Sequence, residues 1–170
     1  MVRKVLLAFS LFFIASCGYR LAGYNVFLPQ HIRDIAVIPF VNETKRSEIE
    51  QRITESVMKE FIKRGKYKIS SARETADAVL EGVISSFSAN PVQFSPEGRA
   101  IRVEVSIAVK ARLTDNSNKS VLWDQEHFVY REQFDIPETA SDFFDQEIIA
   151  IDTIADSFAR TLVTSILEGF

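Results

Sequence analysis

The stretch Ile101-Arg102-Val103-Glu104-Val105-Ser106-Ile107-Ala108-Val109-Lys110-Ala111-Arg112-Leu113-Thr114 alternates apolar with mostly polar side chains over its whole length. Successive side chains of a strand point to opposite faces. Ile101, Val103, Val105, Ile107, Val109, Ala111 and Leu113 therefore share one face, and Arg102, Glu104, Ser106, Ala108, Lys110, Arg112 and Thr114 the other. One face can be buried and the other stays wet, the pattern of an antiparallel sheet covered on one side. Downstream, Asp115-Asn116-Ser117-Asn118 is turn chemistry. Val121 to Arg131, with Trp123, Phe128 and Tyr130, returns as the hairpin partner, which Pro137 ends. Upstream, Ala78 to Phe87 is rich in Val, Leu and Ile and predicts an inner strand. Residues 89–98 are expected to form the loop between these two long strands, carrying surface Val92 and Phe94 and leading into Arg99 and Arg102.

Further upstream, the apolar run Ile32 to Phe40, broken at Pro39, suits a buried first strand. Asn42-Glu43-Thr44 is expected to turn the chain. Ser47 with Glu50 three residues later forms a capping-box pattern. Ile49, Ile53, Val57 and Phe61 then recur every four residues and predict a helix with one apolar face. Lys63 and Arg64 suit its negative end, and Gly65 suits a left-handed cap. Tyr67 to Ile69 is long enough only for a short edge strand. At the C-terminus, Thr139 or Ser141 can cap a last helix whose stripe is Ile148, Ile151, Ala155, Phe158, Leu162 and Ile166. Asp142, Asp145, Glu147, Asp152 and Asp156 are assigned to its solvated side. This order predicts a two-layer α/β sandwich. Its mixed, mostly antiparallel four-stranded sheet carries a short edge strand, and two helices cover one face. The other face, with Arg102, Lys110 and Arg112, is left for water or a partner.

The N-terminus sets the compartment. Arg3 and Lys4 precede an apolar run from Val5 to Ile14, about half the roughly 20 residues a membrane-spanning helix needs, so it is expected to be an export signal. The following Ile14-Ala15-Ser16-Cys17 resembles the lipobox of bacterial lipoproteins. That resemblance implies cleavage before Cys17, attachment of a diacylglycerol to its sulfur and acylation of its amine, with chains such as palmitate. Several chains give a stable anchor. Cys17 is the only cysteine, so no internal disulfide can form. Gly18 after it favours the outer membrane under the sorting rule of enteric bacteria. The chain thus divides into a signal peptide at 1–16, a lipidated tether at 17–31, in which Tyr19 to His31 lacks periodicity, and one domain at 32–170.

The full chain has 170 residues, 46% hydrophobic and 25% charged, with a net charge of −3. This is the composition of one globular domain. Removing residues 1–16 with their two basic side chains leaves 154 residues, 18 basic against 23 acidic, a net charge of −5. Such a balance argues against nucleic acid as a partner. The two histidines, His31 and His127, are expected at the surface. With the one cysteine expected to be blocked by lipid, neither a Cys/His nucleophile pair nor a zinc cluster can be assembled. No phosphate loop, nucleophile elbow or metalloprotease motif occurs. No enzyme activity, metal or cofactor is expected, which leaves binding.

Several stretches taken in order carry a family resemblance. They are Cys17-Gly18-Tyr19-Arg20-Leu21, Leu28-Pro29 with Ile32, Ile35-Ala36-Val37-Ile38-Pro39-Phe40, Asn42 and Thr44. A helix follows from Ile49-Glu50 to Phe61-Ile62-Lys63-Arg64, then Ala76-Asp77-Ala78 and a long C-terminal helix. Together they resemble the LptE family of lipopolysaccharide-assembly lipoproteins. The resemblance implies a plug on the periplasmic side of the outer membrane, within the lumen of an LptD-type β-barrel, serving lipopolysaccharide transport and cell-envelope biogenesis. It also implies lipopolysaccharide contacts through basic side chains near strand tips, for which Arg99, Arg102 and Lys119 are the counterparts by location. The same Ile-Ala-Val-Ile-Pro-Phe strand occurs in lipoproteins resembling a curli-type secretion pore or peptidoglycan-synthase activators. A tether of about a dozen residues, at most roughly 3.5 Å each, is short for crossing the wall.

Overall fold

The computed structural model describes residues 28–136 and 143–169, with side chains for all of these except 143–150. The signal segment, Cys17, most of the tether, Pro137, the expected caps Thr139 and Ser141, and Asp142 lie outside the described residues. So do the side chains of Asp145, Glu147 and Ile148.

The elements run β1 (Asp34–Val37), β2 (Val41–Asn42), α1 (Ile49–Arg64), β3 (Lys68–Ser70), β4 (Ala78–Phe94), β5 (Ala100–Asp115), β6 (Val121–Asp135) and α2 (Phe143–Glu168). The sheet order is β3-β1-β4-β5-β6, with β2 paired to β4. Strand β1 is parallel to β3 and β4, whereas β4, β5 and β6 are antiparallel in sequence. The mixed α+β sandwich is the expected class, but the sheet has six strands instead of four and an edge strand. Pro39 is the reason. It interrupts the first apolar run after β1, and the chain rejoins β4 as β2 at Val41 and Asn42, where a turn was expected.

The β4–β5 hairpin is also longer than its prolines suggest. Residues 89–94 of the expected loop belong to β4, which holds Pro91 next to a register shift between Pro91 and Gln93. The turn is confined to Ser95–Arg99: the Ser95 amide donates to the Arg99 carbonyl at 2.8 Å, and Gly98 takes φ 83. Strand β6 likewise continues past Arg131 to Asp135.

Helix α1 buries its predicted stripe, Ile49, Ile53, Val57 and Phe61, and ends at Gly65 in the left-handed conformation. The expected capping box is not formed. Glu48 precedes the helix at φ 68 without a side-chain cap. The Glu50 carboxylate instead accepts from Asn42 Nδ2 at 2.7 Å, while Asn42 Oδ1 accepts from the Thr44 amide and hydroxyl at 2.9 and 2.7 Å. Asn42 thus orders the loop that leads into α1.

Helix α2 runs alongside α1 in the same direction. Arg52 pairs with Asp152, the Ser56 hydroxyl donates to Asp156 at 2.7 Å, and Arg64 donates to Thr164 at 2.7 Å. Asp152 and Asp156 are exposed as expected, yet they also tie the two helices together, because parallel helices bring their rims within side-chain reach. Beneath them, Ile154, Phe158, Leu162 and Ile166 meet Val105, Ile107, Val109 and Leu113 in one core. Phe158 lies edge-on to Phe128 and Tyr130 of β6, with ring centroids 5.7 and 6.4 Å apart.

One close approach fixes the end of β1. The Phe40 ring lies over the bare backbone of Gly82, where a Cβ would sit 2.2 Å from a ring carbon. The amide of Phe40 donates to the buried hydroxyl of Thr54 at 3.0 Å, which itself donates to the Glu50 carbonyl at 2.6 Å. Gly82→Ala is therefore expected to lower stability by about 1–3 kcal/mol through overpacking, read from the urea midpoint. Ile53→Ala, a truncation of a fully buried side chain, should cost about 2–5 kcal/mol in the same assay. A near-zero value for Ile53→Ala would remove α1 from the core.

Candidate functional site: the uncovered sheet face and its two ends

Arg102, Glu104, Lys110 and Arg112 of β5 stand on the face away from the helices, as the alternation requires, and cross-strand carboxylates meet the arginines. Arg112 donates to Asp124 at 2.8 Å and to Glu126 at 3.3 Å, and Arg102 donates to Asp135 at 2.7 Å. Arg131 approaches Glu104 at 3.8 Å, and Gln133 donates to the same carboxylate at 2.9 Å. Arg73, from the β3–β4 loop, pairs with Glu81. The Arg102 guanidinium holds the Asp135 carboxyl below the usual carboxylate range. Exposed pairs of this kind contribute little stability each, but they leave a polar surface on which the arginines are paired with carboxylates.

The three basic residues singled out from the sequence do not form one site. Arg99 closes the 95–99 turn, and Arg102 is engaged with Asp135 at the same end. Lys119 lies in the 115–120 turn at the opposite end, where it donates to Asn116. The 16 residues of β5 separate the two ends by roughly 50 Å. Val92 and Phe94 are exposed near the 95–99 turn. His127 is exposed on β6. Among the described residues, no three His, Cys, Asp or Glu side chains gather to hold a metal ion.

The 115–120 end holds a polar cluster around one buried carboxylate that the turn chemistry alone did not disclose. The Asp115 side chain is 1% exposed, hydrogen-bonded to His31 Nε2 at 2.7 Å and accepting from the Ser117 hydroxyl and amide at 2.6 and 2.9 Å. Asp77 accepts from the amides of Arg33 and Asp34, both at 2.9 Å. Asn116 joins the two loops by donating to the carbonyls of Arg73 and Ala76. Leu28 and Ile32 are buried on either side of His31, so the segment 28–32 is seated on the domain at this end. The signal in the sequence was the pair Asp77 and Asp115, each beside an inner strand terminus.

Hydrogen bonds from the Asp34 and Arg33 amides lower the pKa of Asp77, and the Ser117 hydroxyl is the largest cause lowering that of Asp115. A lowered native pKa stabilises the fold above the ordinary Asp value of about 4, and that contribution is lost as pH falls through the lowered value. The urea midpoint should therefore fall on acidification from about pH 5 toward pH 3, and fall less steeply in Asp77→Asn and Asp115→Asn. Equal slopes in the variants would place the acid sensitivity elsewhere.

Among the described residues no helix is long and apolar enough to cross a membrane. No curated protein matches the chain in sequence. Among solved structures, the fold is similar to the PelC dodecamer from Paraburkholderia phytofirmans at 17% identity and a TM-score of 0.50, covering 79% of this chain and 87% of that one. It is also similar to the hypothetical protein CT253 from Chlamydia trachomatis, at 11% identity and TM-score 0.52, over 80% of this chain and 98% of that one. Protein XCC0632 from Xanthomonas campestris matches at 13% identity and TM-score 0.51, over 81% and 85%. At such identities these likenesses concern the fold. The sequence pattern described as LptE, lipopolysaccharide-assembly, matches residues 32–166, from the seated N-terminal segment to the last turns of α2. With most of its length so matched, the chain belongs to the LptE family.

Proposed function

We propose that the chain is an outer-membrane lipoprotein, acylated at Cys17, that assembles with an LptD-type β-barrel and plugs its lumen during lipopolysaccharide transport to the cell surface. The observation that carries this is the uncovered sheet face. A body lodged in a water-filled lumen must present polar surface that is satisfied without its partner, and here Arg102, Arg112 and Arg131 each meet a carboxylate across the strands. The core beneath that face, shared by both helices and the long hairpin, supplies the rigid body. Such a plug needs no catalytic residue, metal or cofactor. Lipopolysaccharide is assigned no pocket on this chain, since Arg99 and Arg102 stand at the end opposite Lys119.

Two experiments test the proposal. Cys17→Ala should release the protein from membranes while leaving its urea midpoint unchanged. Retention of that variant in membranes lacking the partner barrel would count against the lipid anchor. From detergent-solubilised outer membranes, a C-terminally tagged chain should bring down one large β-barrel at a ratio near one to one. Recovery of homo-oligomers or a cell-wall synthase in its place would overturn the plug and favour a secretion-pore or synthase-activator role.

A further inference from the structure

The chain is acidic overall, yet Lys59-Glu60-Phe61-Ile62-Lys63-Arg64-Gly65-Lys66-Tyr67-Lys68 holds five basic side chains and one acidic one. Phe61 is buried in the core, and the residues around it turn outward: Lys59 and 62–66 are all exposed. Ile62 is 59% exposed and sits among these cations. The side chains of Lys63 and Lys68 are 75% and 78% exposed. Glu60 is shared between Arg64 at 2.9 Å and Lys63 at 3.9 Å, and Asp34 meets Lys68 at 3.2 Å, contacts made at the surface that leave both lysines largely in water.

This corner lies beside the start of the domain. The Lys68 amide donates to the Arg33 carbonyl, and β3 pairs with the start of β1. The corner therefore lies at the same end of the sheet as the seated segment 28–32, where the chain leaves toward Cys17. Eleven residue steps separate Cys17 from Leu28, at most about 38 Å of extended chain. If Cys17 carries lipid, this end of the domain is held within that reach of the bilayer, whereas the 95–99 turn is roughly 50 Å further along β5.

We propose that the α1 corner, Lys59, Ile62, Lys63 and Lys66 with Lys68, is a second membrane contact that seats on the headgroups of an anionic phospholipid bilayer beside the anchor. This rests on the lipidated Cys17 of the preceding section. The acyl chains retain the protein, and the corner sets its orientation. The lysines meet phosphate by charge, and Ile62 reaches the headgroup boundary, the combination by which amphipathic surfaces bind anionic bilayers.

The test uses the full lipoprotein with an environment-sensitive dye on Ile62→Cys, reconstituted into vesicles of phosphatidylglycerol with phosphatidylethanolamine, or of phosphatidylcholine alone. A blue shift on the anionic vesicles, reversed by salt and absent from the same dye on Glu97→Cys, is the expected result. The combined Lys59→Glu, Lys63→Glu and Lys66→Glu change should reduce the seated fraction at least about tenfold while the protein stays vesicle-bound. An Ile62 dye that remains in water on anionic vesicles, or a shift indifferent to the charge reversals, overturns the proposal. Mass spectrometry of the N-terminal peptide reports lipidation separately. An unacylated Cys17 would sink the anchor, while the Ile62 dye, in a Cys17→Ser background added to the same vesicles, still decides the corner.

Discussion

Strand β5 is hydrogen-bonded along both edges, to β4 and β6, and covered by helices on one face only. That asymmetry governs the rest of the molecule. Burial of Val103, Val105, Ile107, Val109 and Leu113 requires an apolar helix stripe above them, which α2 supplies, while α1 beside it packs against β1, β2 and β3. Exposure of the alternate residues puts charge on the open face, where β6 supplies carboxylates to Arg102 and Arg112, and Arg131 to Glu104. A one-residue slip of β5 would exchange the two sets and destroy both faces, so register and charge pairing are fixed together.

The chain reaches this arrangement through a narrow passage after β1. Pro39 ends one strand, Phe40 covers Gly82, Thr54 takes up the Phe40 amide, and Asn42 holds the loop to Glu50. Each contact joins the sheet to the start of α1 and so sets where the helix lies over the core. The residues in this passage include those that carry the family resemblance in the first third of the chain, and their shared role is structural. In the same way the segment 28–32 is held by Leu28, Ile32 and the His31–Asp115 hydrogen bond, which fixes the end of the domain from which the preceding residues depart.

A molecule so built has two unlike ends and two unlike faces. The helical face covers the core, and the sheet face is polar with its arginines paired. One end holds the seated N-terminal segment and the basic corner of α1, and the other is the 95–99 turn with exposed Val92 and Phe94. Such polarity suits a component inserted in one direction into a larger assembly, the role proposed for it within the LptE family.

The elements with a strong period were legible in the sequence: the alternation of β5, the stripes of both helices and the left-handed cap at Gly65. Periodicity records which side of an element is buried, and burial dominates the energy of folding. Local polar chemistry was less informative. Ser47 and Glu50 had the spacing of a capping box, yet Glu50 was taken by Asn42. Pro91 suggested a loop, yet a register shift kept it in β4. Tertiary structure alone decided that Arg99 and Lys119 stand at opposite ends, that Asp115 is buried against His31, and that Arg102 is paired with Asp135. The reason is physical: a side chain's polar partners and its place along a long sheet depend on residues distant in the chain, whereas its preference for one face is written by its immediate neighbours.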